Sequence, residues 1–401
     1  MLVNRPQYMK WLDRWRDKDV IKVVTGLRRC GKSSVFKLYR KRIIESGVDE
    51  QHVITINFES LDEEYPTKSR DVYRYIKALL KPGMNYVFLD EVQHVEEFEK
   101  LVDGLFVRDD VDLYITGSNA FFLSGELATL LTGRYVELRM LPFSFAEYCD
   151  AVDTLFALEK QDREVILDRY LTYGGMPFTA SLSDEQSIND YLGGVFNTIV
   201  LSDAVIRHPR MDMRSFLDTA SFLADNIGNI SSLKRISGAL KASGRSASPT
   251  SVGEYVTTML ENYLLFKAMR FDIKGGDYLT TLEKYYLGDL GFRFWLLGKT
   301  QGDIGHRLEN LVYLELLRRN NSVRVGKVGS SEVDFVTYDE GRREYYQVAL
   351  TVLDEKTLER ELLPLRAIDD NYPKTLLSLD RVGIGTYEGI VHSNVIDWLL
   401  T

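Results

Sequence analysis

The residues best suited to chemistry stand early in the chain. Gly26-Leu27-Arg28-Arg29-Cys30-Gly31-Lys32-Ser33 fits G-x-x-x-x-G-K-[ST] at every fixed position. Glycines at these points let a backbone wrap a phosphate, so that N–H groups and a helix N-terminus face the negative charge. In such a loop Lys32 reaches the β- and γ-phosphates of ATP, Ser33 offers its hydroxyl to Mg2+, and Ser34 follows at the helix start. Cys30 reads as a small residue that fits the loop rather than as a reactive thiol. The acidic partner is Tyr86-Val87-Phe88-Leu89-Asp90-Glu91, an apolar run ending in two carboxylates. Asp90 is expected to help hold Mg2+, and Glu91 to orient or deprotonate an attacking water. An isolated Asp-Glu pair is ordinary solvated loop; the complete phosphate loop upstream gives this one its meaning. Val111–Thr116 leads into Gly117-Ser118-Asn119, a polar tip suited to sensing the γ-phosphate. Arg134 precedes another apolar run and could stabilise transition-state charge in a neighbouring subunit, which would require a homo-oligomer. A locally paired surface arginine is an equally good reading.

These residues need strands and helices to place them. Ile21 to Thr25, Val53 to Phe58, Tyr86 to Leu89, Val111 to Thr116 and Tyr135 to Met140 read as strands. Helical spacing connects Val35, Leu38, Tyr39 and Ile43, then Val72 to Leu80, then Phe98 to Phe106. This alternation predicts an α/β fold with a parallel sheet. From Ser144 the pattern turns mostly helical, punctuated by Gly174-Gly175-Met176-Pro177 and His208-Pro209. Phe216 to Asn226, Leu233 to Lys241 and Val252 to Leu265 read as helices. Strands at Phe266 to Phe271 and Lys284 to Leu287 complete a winged-helix pattern. From about 303 a helix, three strands, a helix and a strand predict a small α/β domain. The expected domains are 1–145 (ATPase core), 146–210 (mostly helical), 211–302 (winged helix) and 303–401 (a second α/β domain).

The formal charge of −9 argues against a surface coated for nucleic acid, and two cysteines without a C-x-x-C pair argue against a disulfide framework or structural zinc. No apolar stretch approaches the roughly 20 residues a membrane span needs, and Met1 to Trp15 lacks the apolar core of a signal peptide. A cytoplasmic protein with no membrane contact is the expectation.

Together the motifs resemble the AAA+ ATPases, and specifically an archaeal and bacterial family with a winged helix and a restriction-endonuclease-like domain after the ATPase. The matching pieces are Gly26 to Ser33, Leu89-Asp90-Glu91-Val92-Gln93, Ile115-Thr116-Gly117-Ser118 and Leu131-Thr132-Gly133-Arg134 followed by Leu141-Pro142-Phe143-Ser144-Phe145. Gly174-Gly175-Met176-Pro177 is similar to the family's lid signature. The resemblance covers essentially the whole chain. It implies a helical lid, Ser118 or Asn119 as sensor, and Arg134 as an arginine finger.

Endonuclease-like folds of this type place a Glu on a helix, an Asp on a strand and an acid-x-Lys on the next strand, where the acids bind metal and the Lys supports hydroxide. Here the counterparts are Glu309, Asp334 and Gln347, with Ala349 where the lysine belongs. The expectation is a vestigial, inactive site. Of possible partners, duplex DNA has modest support. The helix from Pro249 to Leu265 carries no Lys or Arg for base reading, although Lys234-Arg235, Lys241, Arg245, Arg318-Arg319, Arg324 and Lys327 could meet phosphates. Three functions follow: an ATPase moving its C-terminal domains, on DNA; a slow nucleotide switch that engages an unknown protein; or an ATP-gated nuclease.

Overall fold

A computed structural model describes residues 3–60, 65–118, 131, 133–155, 161–200, 211–245, 247–275, 278–300, 302–320, 322–339 and 341–401. The chain forms two compact units: Met1–Pro142 with Glu261–Tyr263, and Phe143–Leu260 with Leu264–Thr401. Among the described residues no helix is long and apolar enough to cross a membrane.

The first unit contains α1 (Pro6–Trp15), β1 (Ile21–Gly26), α2 (Lys32–Glu45), β2 (Val53–Asn57), α3 (Ser69–Leu79), β3 (Asn85–Asp90), α4 (Phe98–Phe106), β4 (Val111–Gly117) and β5 (Tyr135–Met140). Its strands form one parallel sheet in the order β2-β3-β4-β1-β5. β1 and β3 are buried at every position, which is why β3 reads as a continuous apolar run from Tyr86 to Leu89 rather than an alternating one. Side chains still alternate between faces. Val87, Leu89, Leu113 and Ile115 pack with Val72 and Ile76 of α3 and Leu101, Val102 and Leu105 of α4. On the other face Phe88 stacks on Tyr114 at 4.6 Å and meets Phe36 of α2 at 5.1 Å. Helix α1, which the sequence did not announce, starts at Pro6 and buries Tyr8, Met9 and Leu12. Arg5, just before it, is buried and donates to the carbonyls of Cys30 (3.0 Å), Leu141 (2.9 Å) and Pro142 (3.2 Å).

The second unit contains α5 (Phe145–Leu155), α6 (Arg163–Tyr173), α7 (Glu185–Ile199), α8 (Met213–Asp225), β6 (Ile230–Ser231), α9 (Leu233–Ala242) and α10 (Pro249–Glu261). These lead to β7 (Leu265–Asp272), β8 (Tyr278–Leu287), α11 (Leu290–Leu297), α12 (Ile304–Arg319), β9 (Ser322–Val328), β10 (Ser331–Asp339) and β11 (Arg342–Val348). Helix α13 (Glu355–Arg366), β12 (Lys374–Ser378), β13 (Gly385–Tyr387), β14 (Ile390–Asn394) and α14 (Val395–Leu399) finish the chain. The strands make one sheet in the order β13-β14-β12-β11-β10-β9-β7-β8-β6. β7 and β8 pair as the expected hairpin, but β7 also pairs in parallel with β9, from Met269 against Arg324 to Asp272 against Lys327. The hairpin is therefore no free wing: a single sheet runs across residue 302. The outer backbone groups of β7 find partners there instead of being left as an open edge.

The Gly174-Gly175 turn has a strict steric basis. Gly174 takes φ +76°, and a Cβ there would stand 1.9 Å from Asp289 Oδ1; one on Gly175 would stand 2.5 Å from the Tyr170 hydroxyl. Asp289, buried before α11, accepts from the N–H groups of Gly175 and Gly291, each at 2.8 Å. Burial nevertheless pushes its carboxyl up to about 7. An acid whose folded value lies above its unfolded value near 3.9 binds its proton more tightly when folded. Its contribution is complete below about pH 4 and is lost as pH rises through about 7. Relative to Asp289→Asn, the wild type should lose up to about 4 kcal/mol of stability between pH 4 and 7, at about 1.4 kcal/mol per pH unit. Urea titrations of both proteins at several pH values measure this; a difference constant with pH would sink the assignment.

Candidate nucleotide site

β1 ends at Gly26, β3 at Asp90 and β4 at Gly117, and the three run in the same direction. Their order alone gathers Gly26–Ser33, Asp90-Glu91 and Ser118 at one edge of the sheet, where ligands of open α/β sheets bind. Gly26 takes φ +144°, and a Cβ there would meet the Met140 carbonyl oxygen at 2.2 Å. Gly31, at φ +106°, turns the chain into α2. Leu27 and Cys30 are buried, Ser34 is half-buried, and Arg29 is exposed at φ +65°. Arg28 reaches outward to Glu59, Nη1 to Oε1 3.0 Å. Burial pushes the Cys30 thiol up, which keeps it protonated and unreactive.

Lys32 is buried. Its Nζ donates to the carbonyls of Gly26 (3.1 Å) and Leu27 (3.5 Å) and lies 3.4 Å from Glu91 Oε1. Ser33 stands near enough to the Asp90 carboxylate for its hydroxyl to offset part of the cost of burying that charge. Thr116 joins both acids: its Oγ1 donates to Asp90 Oδ1 at 2.7 Å and accepts the Glu91 N–H at 2.8 Å. Burial, with the Glu91 charge adding to it, raises the Asp90 carboxyl above its usual range. A buried acid whose ionised form is disfavoured, set against a hydroxyl, offers the hard oxygen ligands that Mg2+ takes, and a cation there would remove the cost of ionising it. Glu91 sits at φ 53°, in the left-handed region, which costs a non-glycine residue about 1–3 kcal/mol. Its Oε2 accepts from Gln93 Nε2 at 2.5 Å, and that same Nε2 stands 3.4 Å from Ser118 Oγ.

Sequence reasoning singled out neither Thr116 nor Gln93 for a role, although both lie inside the quoted motifs. A hydroxyl at the end of the strand beside the acidic one was the available signal. Glu59, Glu91 and His94 also bring ligand atoms within 4.8 Å of one another. There His94 and then Arg28 hold the Glu59 carboxyl down to about 2, so cations from the protein already face that acid. Arg134 stands away from this buried cluster: its Nη1 pairs with Asp103 Oδ1 of α4 at 2.7 Å and its side chain is about half exposed. Asn119 and Thr132 lie outside the described residues.

In the second unit Glu309 of α12, Asp334 of β10 and Gln347 of β11 do converge. Asp334 N–H donates to Gln347 Oε1 at 3.3 Å, Asp334 Oδ2 accepts the Val348 N–H at 2.9 Å, and Glu309 lies near enough to help raise the Asp334 carboxyl. Gln347 also donates to Glu361 at 2.9 Å. Lys284 of β8 joins this cluster, meeting Glu309 (3.3 Å) and Glu332 (2.7 Å). The basic residues considered for phosphate contact are largely committed within the fold. Arg245 pairs with Asp218, Arg318 and Arg319 with Glu315, and Arg324 lies over the Tyr338 ring.

Residues 18–149 match a family model described as an AAA domain, and residues 165–303 one described as a domain of unknown function. An uncharacterized protein of Haemophilus influenzae is 36% identical over 403 residues, covering 100% of this chain and 99% of its own. An uncharacterized protein of Methanocaldococcus jannaschii is 30% identical over 384 residues, covering 91% of this chain and 81% of its own. A Walker-type ATPase of Pyrococcus abyssi superposes with a TM-score of 0.47 at 13% identity, covering 73% of this chain and 95% of that one.

Proposed function

This chain belongs to the family of the Haemophilus influenzae protein and carries an AAA domain, and from that premise we propose that it is a Mg2+-dependent ATPase whose turnover moves its C-terminal unit. The observation that carries this reading is the buried junction of Lys32, Asp90 and Glu91, in which Thr116 hydrogen-bonds both acids and Ser33 stands beside Asp90. The loop N–H groups from Leu27 to Ser33 cradle the phosphates of ATP. Lys32 leaves the carbonyls of Gly26 and Leu27 for the β- and γ-phosphates, a better acceptor set for an ammonium than two neutral oxygens. Ser33 and Asp90 would hold Mg2+, which when bound neutralises charge on the phosphoryl oxygens. Once Lys32 has moved, Glu91 Oε1 is released to hold the attacking water in line with the γ-phosphorus. Gln93 keeps the other carboxylate oxygen in place and relates it to Ser118, the sensing position. Arg134 acts from a neighbouring copy. Leaving Asp103 costs it little, because half-exposed ion pairs contribute only about 0–1 kcal/mol.

Steady-state phosphate release by the wild type tests this reading, with Mg2+, with EDTA, and with or without duplex DNA at low salt. Turnover that EDTA abolishes is expected; turnover indifferent to Mg2+ would overturn it. Stimulation by duplex would make DNA the partner on which the unit moves. The intramolecular pairing of Arg245, Arg318, Arg319 and Arg324 favours no stimulation, and with it the second reading, a nucleotide-dependent module that engages a protein.

A further inference from the structure

β5 bears the phosphate loop. Gly26 lies opposite Met140 in the parallel register of β1 and β5, so close that a Cβ on Gly26 would strike the Met140 carbonyl oxygen. Farther along, Arg5 joins the Cys30 carbonyl of the loop to the carbonyls of Leu141 and Pro142, where the first unit gives up the chain. The first unit regains it only for Glu261–Tyr263, between α10 and β7. Tyr263 is buried there and held on β5: its hydroxyl stands 3.5 Å from Glu137 Oε1, and Arg139 lies over its ring, Cζ to centroid 5.8 Å. The same Oε1 accepts from Thr25 Oγ1 at 2.6 Å, and Thr25 immediately precedes Gly26. A carboxylate oxygen has two lone pairs, so it takes both hydroxyls at once. One oxygen thus joins the returning segment to the residue that leads into the phosphate loop.

Both ends of this link can change. Tyr263 sits at φ 57°, a conformation that a non-glycine residue keeps only where its surroundings hold it. Burial, with the Glu137 charge adding to it, pushes its phenol up to about 12, so the hydroxyl stays protonated and donates. At the other end Lys32 donates to the Gly26 carbonyl at 3.1 Å. When phosphate takes Lys32, that carbonyl loses its charged donor, one residue from the hydroxyl that Glu137 grips. Contacts on the Thr25–Gly26 backbone therefore differ between the empty and the occupied loop, the differential interaction that any coupling needs.

We propose that Tyr263 is a positioning residue through which the phosphate loop signals to the second unit: Thr25, Glu137 and Tyr263 pass the nucleotide state of the loop to α10 and β7, the two elements that flank Glu261–Tyr263. This rests on the ATP-binding reading above and adds the route by which occupancy of the loop leaves the first unit. Linkage makes the route reciprocal: whatever fixes the returning segment shifts ATP affinity by the factor by which ATP shifts the segment.

Amide hydrogen exchange of β7 with and without ATP, alongside fluorescent-nucleotide titration, tests this on the full chain. ATP should change wild-type exchange in β7 about fivefold or more, the low end of allosteric coupling. Tyr263→Phe, which keeps the ring, and Thr25→Val, which keeps the shape, should each still bind ATP yet leave that change under about twofold. Thr25→Ser, which keeps the hydroxyl, should retain the change; a link made by packing alone would survive Thr25→Val and weaken in Thr25→Ser. ATP binding by the wild type with unchanged exchange, or a full response in either Tyr263→Phe or Thr25→Val, overturns the proposal and leaves the ATPase reading standing. No ATP binding by the wild type overturns both. If Thr25→Val does not fold by circular dichroism, Tyr263→Phe decides alone.

Discussion

Glu91→Gln should bind ATP about as well as the wild type and hydrolyse it at least about a hundredfold more slowly, the low end of what a positioned general base supplies. The substitution is nearly isosteric, and the backbone at φ 53° suits Gln no worse than Glu. Binding should survive because, in the proposed reading, phosphate is met by Lys32 and the loop N–H groups, not by Glu91. The metal side should survive as well. Glu91 contributes to the raised Asp90 carboxyl, so its neutralisation makes Asp90 easier to ionise and improves it as a cation partner. Lys32 loses a carboxylate 3.4 Å away, which frees it for phosphate rather than stranding it, since two carbonyls still accept from it. Only the step needing a carboxylate beside water is removed. Fluorescent-nucleotide titration and steady-state phosphate release measure the two halves. Hydrolysis at the wild-type rate would show that another group holds the water.

The geometry of the candidate site was legible because its residues fall in two short runs of sequence. One loop of eight residues and one strand end carry Lys32, Ser33, Asp90 and Glu91, and the local signals of strand and helix place both at the same sheet edge. What was not legible depends on tertiary neighbours. Thr116 matters because β4 lies beside β3, which the strand order sets and no local spacing reveals. Arg5 is a basic residue near the N-terminus until the fold wraps it in the carbonyls of Cys30, Leu141 and Pro142. The hairpin of β7 and β8 carries correct strand signals, but its parallel pairing with β9 joins residues more than fifty positions apart. The same pairing hides Lys284: a search for the missing lysine along β11 finds Ala349, while the cation arrives from a strand assigned to a different domain.

Lys284→Met should destabilise the protein by about 3–5 kcal/mol at neutral pH, the cost of leaving a buried charge without its partner. The lysine side chain is 6% exposed and contacts Glu309 and Glu332, and its charge also acts on Asp334. Methionine fills similar volume, so the loss is electrostatic rather than a cavity. The pH dependence has a definite sign. In the wild type Glu309 is held below its ordinary value chiefly by Lys284, so it contributes stability above the unfolded glutamate value near 4.3, lost as pH falls. Without Lys284, burial dominates and the Glu309 carboxyl rises. The variant then loses stability as pH climbs through that region, and the gap to wild type widens from about pH 4 to 7. Glu309→Gln in the Lys284→Met protein should restore most of it, because the stranded charge is gone. Urea titrations across this pH range measure all three proteins. A cost independent of pH, or no recovery in the double variant, would mean that Lys284 acts by packing alone. The same proteins settle what the cluster is for. If the wild type cleaves plasmid with Mn2+, and folded Lys284→Met does not, then Lys284 is the lysine of a working nuclease; if the wild type leaves plasmid intact, the cation serves to neutralise buried acids.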